Sequence, residues 1–379
     1  MTAIRNALVV GGGIGGLTAA VALRQQGIAV DLVEIKPVMT VYGVGIIQPN
    51  NTLRALDRIG LGRACVEVGC AFQGWRIYDA AGNVLMDAPA TSEAAPEFPP
   101  NNGITRPKLH RILTQAATAW DTALRFGITV DKIDDDGNGV AVLFTNGQTG
   151  RYDLVIGSDG IYSDLRKRLF GALEPRFVGQ GVWRYNLPRP PDLEWGALFN
   201  GPKSKVGLVP LSPTLMYMLI VTAEPRNLRV EGARMAEEMR GRLQDYTSPL
   251  LAGLRPMITN PEEVVYRPLE TLLLPAPWMK GRVLLIGDAA HSTTPQLAQG
   301  AAMAIEDAVL LGELMGRDAP LPQLLEEFMT RRFARVKFVV DSSTQIGAWE
   351  LEEWQGIHNP EANPGGLLHS ATLALMKDF

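Results

Sequence analysis

The chain has 379 residues, 46% of them hydrophobic and 20% charged, with a formal net charge of −4, which predicts one large or two intertwined domains around a sizeable core. No block of Lys or Arg is present, which argues against nucleic acid or an anionic membrane surface as a partner. Two cysteines, Cys65 and Cys70, make neither a disulfide framework nor a zinc pattern, and no run of about 18 apolar residues can span a bilayer, so the sequence reads as cytoplasmic.

The chain opens with an apolar run at 7–10 that breaks into Gly11-Gly12-Gly13-Ile14-Gly15-Gly16. An Ala/Leu-rich helical pattern follows, then a second apolar run at 28–33 ending at Glu34. Glycine interrupts the first run after four residues, which makes it a fold strand rather than a signal peptide. Strand, glycine turn, helix, strand is the unit that sets a pyrophosphate on a helix N-terminus. Gly11 permits the tight turn, Gly13 lets the backbone approach the phosphates, and Gly16 lets the helix pack on the strand. Ile14 and Gly15 complete the candidate contacts of this turn. Glu34 stands where a carboxylate accepts hydrogen bonds from a ribose hydroxyl and would repel a 2′-phosphate.

Lys36-Pro37 leads into an apolar, glycine-rich loop at 42–50, suited to lie against a flat ligand ring or simply to be buried. Asn50 is expected to cap a helix that runs through Arg58 and stops at Gly60. Residues 71–87 alternate around Ala81-Gly82-Asn83 and predict a hairpin; 88–102, rich in Pro, Glu and Asn, predicts a surface connection. Arg106 begins a predicted helix at 108–120, placed to reach a phosphate or ribose or to pair on the surface. Strands are predicted at 128–133 and 140–144, and a buried strand at 152–157 empties into a polar glycine turn holding Asp159. Across 177–267 the pattern changes to short alternating runs (181–187, 196–200, 206–209, 215–222), an antiparallel sheet covered by one amphipathic helix at 233–246. Helix–strand alternation returns at 282–291. Two long helices follow, one ending near Met315 and one at 321–343, before loop-like Pro and Gly at 360–366. The predicted fold is α/β. A Rossmann-like domain is formed by 1–70, 103–176 and 268–379 with C-terminal helices, and an inserted, mostly antiparallel substrate domain by 71–102 and 177–267.

Several stretches together resemble the single-component flavin-dependent aromatic hydroxylases, the group of para-hydroxybenzoate and salicylate hydroxylases. The glycine turn with Glu34 is similar to that family's ADP-binding element. The stretch DLVIGSDGIYSDLR from Asp153 resembles its internal Asp-Gly motif, and GDAAHSTTPQLAQGAAMAIEDA from Gly287 its Gly-Asp flavin-ribityl motif. Arg106 with Leu109 and Leu113 fits its Arg-containing helix start. The motifs fall in the family's order between positions 4 and 307. Two departures stand out: Ala298 occupies a position where many members carry Gly, and the loop at 43–50 looks about a residue short.

The resemblance implies FAD as cofactor. Asp288 would meet ribityl hydroxyls or cap a helix, and Pro295 would border the ring. Gln299, Gly300 and Ala301 would turn free N–H groups toward negative charge at flavin N1 and O2. Asp159 would organise the pyrophosphate turn or bond backbone there. His110 and His291 suggest a general base, yet the family uses both positions architecturally. No second glycine–strand unit follows Glu34, so NADH or NADPH would bind transiently; the lack of Cys-x-x-Cys argues against the two-domain disulfide reductases. Trp183-Arg184-Tyr185-Asn186 does not match the halogenase signature. By resemblance NAD(P)H reduces the flavin, O2 adds at C4a, and the hydroperoxide hydroxylates a small phenolic or N-heteroaromatic ring. Tyr217 is the candidate for bonding a substrate hydroxyl, or is a core tyrosine; Arg184 holds a substrate carboxylate or pairs on the surface. Decarboxylating hydroxylation, another oxygenation, a ligand-sensing flavoprotein and an NAD-dependent dehydrogenase are the alternatives, in a monomer or homodimer.

Overall fold

The computed structural model describes residues 4–38, 43–226 and 228–379; Tyr42, at the head of the expected ring-facing loop, lies outside them. A six-stranded sheet runs in the order Met279–Lys280, Val283–Leu285, Leu154–Gly157, Asn6–Val10, Ala29–Glu34, Ala123–Phe126, parallel apart from the antiparallel Met279–Lys280 edge. Ala7 to Val10 are all buried, because helices cover both faces of a parallel sheet and its strands become continuous apolar runs. The edge strand Ala123–Phe126 was not anticipated: four residues with both ends exposed leave no hydrophobic run to detect.

An eight-stranded sheet takes the strands Arg176–Pro188, Gly196–Asn200, Ser204–Pro210, Leu215–Ala223 and Val265–Leu273, with His291–Ser292 at one edge. The hairpin expected at 71–87 is present as Gly74–Tyr78 and Val84–Pro89 and extends the other edge, Gly74–Tyr78 lying parallel to Gly196–Asn200. Successive side chains alternate between the faces of a strand. One face of this sheet therefore carries Trp183, Tyr185, Leu187, Met216, Met218 and Ile220 into a core closed by Met239, Leu243, Leu251 and Leu254. On the other face Arg184 stands opposite Leu219 and Asn186 opposite Tyr217.

A small sheet of Gly45–Pro49, Asn101–Thr105 and Cys70–Phe72 lies between these two layers. Gly45–Pro49 is thus a strand where the glycines suggested a loop. Ile46 faces the main core while Ile47 packs beside Tyr217, an alternation that outweighs the glycine content. Asn50 is the first residue of the helix Asn50–Arg58 rather than its cap. Its side chain instead accepts from Ala95 N at 2.8 Å and donates to Ala95 O at 3.0 Å, pinning the Pro-rich connection.

Three helix expectations change. In place of one helix at 233–246, a 3-10 turn at Gly232–Arg234 leads into Met235–Gly241, where the helix stops; Leu243 and Tyr246 still reach the core from turns, so the apolar spacing survives without the helix. The helix begun at Leu321 runs on to Trp354, about 51 Å at 1.5 Å per residue. Ser342 and Ser343 are weak helix formers, but both are buried and Ser343 Oγ donates to Thr294 O at 2.7 Å; tertiary packing carries the helix through them. The expected loop at 360–366 contains the start of a further helix, Pro364–Met376, with Pro at its first position and Asn363 Oδ1 accepting from Gly366 N at 2.8 Å. Its last carbonyls accept from Arg54 and Arg335, and Phe379 lies 4.4 Å beneath the Arg58 guanidinium. Among the described residues no helix is long and apolar enough to cross a membrane.

Candidate active site

The glycine turn is built as its spacing requires. Gly11 has φ +109°, and a Cβ there would stand 2.3 Å from Ser158 O; at Gly16 it would stand 2.0 Å from Gly11 O. Gly13 has open space where its side chain would be. It precedes the helix Ile14–Gln25, whose start has neither a capping side chain nor an acidic residue in the first turn. The N–H groups and the positive end of the dipole are left for an anion. Glu34 Oε2 accepts from Gly12 N at 2.8 Å and Oε1 from Lys36 N at 2.9 Å, so the carboxylate ties the strand tip to the turn and keeps a lone pair on each oxygen for a ligand hydroxyl.

Asp159 Oδ2 accepts from Leu165 N at 3.2 Å, while its buried Oδ1 has no partner; burial raises its carboxyl above the usual range. Of the two readings for Asp159, the backbone bond is present, and the second oxygen is buried without a partner. His110 donates through Nε2 to Gly12 O at 2.9 Å, and buried His291 donates through Nε2 to Asp307 Oδ2 at 2.6 Å. Both imidazoles are committed to architecture.

Opposite the glycine turn, the buried strand Val283–Leu285 ends in the 3-10 turn Gly287–Ala289. Asp288 opens on the cleft and meets water there, yet the surrounding protein still raises its carboxyl, against the pull of His291 and Arg106. The chain then passes through the turn Pro295–Leu297, with Pro295 half-buried, to the helix Gly300–Met315. Gln299 does not turn its side chain to the cleft. It is buried and its amide exchanges hydrogen bonds with Asn51, Nδ2 to Oε1 at 3.0 Å and Nε2 to Oδ1 at 3.2 Å. What remains toward the cleft is the backbone of Gly300 and Ala301, again with no capping side chain and no acid in the first turn. Ala298, where the family favours Gly, has φ +54°, the left-handed region that costs an L-residue about 1 kcal/mol.

The third wall is the face of the eight-stranded sheet that carries Tyr217 and Arg184. Tyr217 is 4% exposed and packs on Phe72, Val209 and Leu211; Gly45 makes room for its ring, since a Cβ there would stand 2.1 Å from Tyr217 Cδ1. Burial raises the phenol pKa, and Arg184 and Arg106 oppose it. Burial also lowers the Arg184 pKa, to about 10, helped by the neighbouring charges of Arg106 and Arg267. Arg106, half-buried at the start of the helix Arg106–Ala119, is lowered by burial and feels Tyr217 and Asp288. Among the described residues neither Arg106 nor Arg184 has a side-chain ion pair or hydrogen bond. Two guanidiniums, Arg184 and Arg106, thus act on one phenol, and Arg106 also feels the Asp288 carboxylate.

Two sites are thereby brought together: an anion cradle at the glycine turn, and a cleft between the Asp288–Ala301 segment and the Tyr217–Arg184 face, with Arg106 between them. A family model described as "FAD binding domain" matches residues 5–343. The putative FAD-dependent monooxygenase YetM of Bacillus subtilis is 32% identical over 90% of this chain and 93% of its own length. The 3-hydroxybenzoate 6-hydroxylase of Polaromonas naphthalenivorans is 31% identical over 90% and 86%.

The chain belongs to the single-component FAD-dependent aromatic hydroxylases.

Members of this family are FAD-dependent monooxygenases that typically draw on NAD(P)H. The structure of Klebsiella pneumoniae HpxO complexed with FAD and uric acid superimposes with a TM-score of 0.84, covering 98% of this chain and 96% of that one at 24% identity, which establishes the common fold. The residues present suit the hydroxylase cofactor: open space at Gly13, an orphaned Asp159 oxygen and two uncapped helix starts. Sequence reasoning missed Asn51, Gly45 and Asn186, whose Nδ2 donates to Gly43 O at 2.9 Å. Each acts through a partner far away in the chain, and no local pattern marks such a pair.

Proposed function

We propose that this hydroxylase oxidises a small phenolic or N-heteroaromatic substrate carrying an ionised group, with NAD(P)H and O2. The observation that carries the reading is the Tyr217–Arg184 face, apolar beneath and cationic above, set across the cleft from Asp288, Pro295 and the Gly300 helix start. Bound FAD would supply the redox and oxygen-activating chemistry. Gly11, Gly13, Ile14, Gly15, Gly16 and Glu34, with Lys36 beside them, would hold its ADP half. Arg106 and Asp159 would flank the pyrophosphate, and Asp288 would accept from the ribityl hydroxyls. The N–H groups at Gln299, Gly300 and Ala301 would face the ring's negative edge. Tyr217 would donate to the substrate's phenolic oxygen, Arg184 would pair with its acidic group, and Pro295 would border the ring. Packing around Tyr217 keeps water from the reacting atoms and orients the substrate.

The same reading divides the chain into a cofactor domain of 1–70, 103–176 and 268–379 and a substrate domain of 71–102 and 177–267. It places the protein in the cytoplasm as a monomer or homodimer; both cysteines are free thiols. The test is a panel of hydroxybenzoates, nitrophenols and pyridinols, scored for stimulated NAD(P)H consumption with the product identified by mass. Ring hydroxylation of an anionic member supports the proposal, and loss of CO2 would reassign the reaction as decarboxylating. A purified protein that lacks yellow absorbance and cannot take up FAD overturns it.

A further inference from the structure

The helix Leu321–Trp354 turns a polar stripe toward the turn Pro295–Leu297 and the eight-stranded sheet. Residues 343, 347 and 350 share one helix face by their spacing. Ser343 Oγ donates to Thr294 O at 2.7 Å. Gly347 leaves space, since a Cβ there would stand 2.8 Å from Gln180 Oε1 and 3.0 Å from Gln296 Nε2. The two glutamine amides occupy that space, and Glu350, 6% exposed, sets its carboxylate against them. Its Oε2 accepts from Gln180 Nε2 at 3.1 Å and from Gln296 Nε2 at 3.1 Å, and its Oε1 accepts from the Lys205 ammonium. Gln296 Nε2 also donates to Gln180 Oε1 at 3.0 Å, while Gln296 Oε1 is buried without a partner.

One carboxylate therefore ties four elements together. Gln296 belongs to the turn Pro295–Leu297 that borders the cleft, Gln180 to the strand that carries Arg184, and Lys205 to the strand Ser204–Pro210 of the same sheet. A buried ion pair is about neutral for stability against an apolar replacement, so stability alone gives no reason for a carboxylate here. The geometry gives one: it fixes the turn against the sheet.

We infer that Glu350 is a positioning residue, which through Gln296 sets the spacing between the Pro295 turn and the Tyr217–Arg184 face, and so how well a substrate ring is aimed. Its effect on catalysis rests on the hydroxylase reading above; its effect on the turn does not. Nothing in the network touches the glycine turn or Glu34, so FAD content is expected to survive its loss.

The experiment compares FAD-loaded wild type with Glu350→Gln, Gln296→Ala and the double variant. Three quantities are read: FAD content, visible circular dichroism of the bound flavin, and product formed per NAD(P)H consumed. Each single variant is expected to keep its FAD, to change the flavin dichroism, and to lower the product ratio about fivefold, in line with one lost hydrogen bond of ordinary strength. The double variant is expected to be no worse than either single, because both cut the same tether. Wild-type dichroism and coupling in both singles would overturn the inference, as would effects that add in the double variant, the mark of independent structural damage. If Glu350→Gln does not fold, Gln296→Ala, a half-buried amide at the other end of the tether, decides alone. If no ring stimulates the wild type, the hydroxylase reading fails while the dichroism still tests the tether.

Discussion

Tyr217 and Gly45 show how much of the site depends on one contact. The phenol is buried against apolar side chains with guanidiniums around it, so its hydroxyl stays protonated at neutral pH and is a donor. Tyr217→Phe is expected to lower kcat/KM about tenfold, the equivalent of one hydrogen bond to an ionised partner, with FAD content unchanged; steady-state product formation measures it. Gly45 is the ring's floor. Gly45→Ala would put a methyl 2.1 Å from Tyr217 Cδ1, which forces the ring aside. The expected result is a raised substrate KM with unchanged flavin binding, read from substrate titration of flavin absorbance. An unaltered KM would mean that the tyrosine side chain does not meet the substrate.

Among the elements, the turn before the helix Gly300–Met315 holds the clearest local strain. Ala298 sits at φ +54°, where glycine pays no penalty for a Cβ. Ala298→Gly is expected to raise the unfolding free energy by about 1 kcal/mol, measured by urea denaturation of the FAD-loaded protein. The same stretch shows what the sequence could and could not reveal. The glycine turn and Glu34 were legible because phosphate and dipole chemistry demands those residue types at fixed spacings, whereas Asp288 and the helix start at Gly300 were legible through the family resemblance. The strands of the large sheet were legible through their alternation. Gln299 was assigned to the cofactor through its backbone N–H; that its side-chain amide pairs with Asn51, 248 positions away, only the folded chain reveals. The helix Leu321–Trp354 outran its expected end because buried serines look like a helix stop until their packing is seen. Pro364 looked like a loop because proline marks helix starts and breaks alike.

Across the whole molecule, a buried charge network lies behind the cleft. Arg332 donates to Asp307 Oδ1 at 2.7 Å and Glu306 Oε2 at 2.6 Å, and Arg335 adds a bond to Glu306 at 2.8 Å. Burial alone would raise the Asp307 carboxyl, but His291 and Arg332 overcome it and hold the pKa at about 2. A folded-state pKa below the unfolded one gives stability that is complete above pH 4 and is lost as pH falls toward 2. The contribution is on the order of 2 kcal/mol. Asp307→Asn is expected to flatten that part of the acid-unfolding curve and to lower neutral-pH stability by roughly 3 kcal/mol, since it removes one of the two carboxylates that pair with the buried Arg332 guanidinium; denaturant melts from pH 7 to pH 3 would show both.

The helix Leu321–Trp354 is built into both layers, with Phe328, Val336 and Val340 in the core of the parallel sheet and Trp354 against Val182 and Val221 of the other. A rod shared in this way denies either layer a private melting event. Scanning calorimetry should therefore record one endotherm, and a protease nick near its middle should divide that endotherm in two.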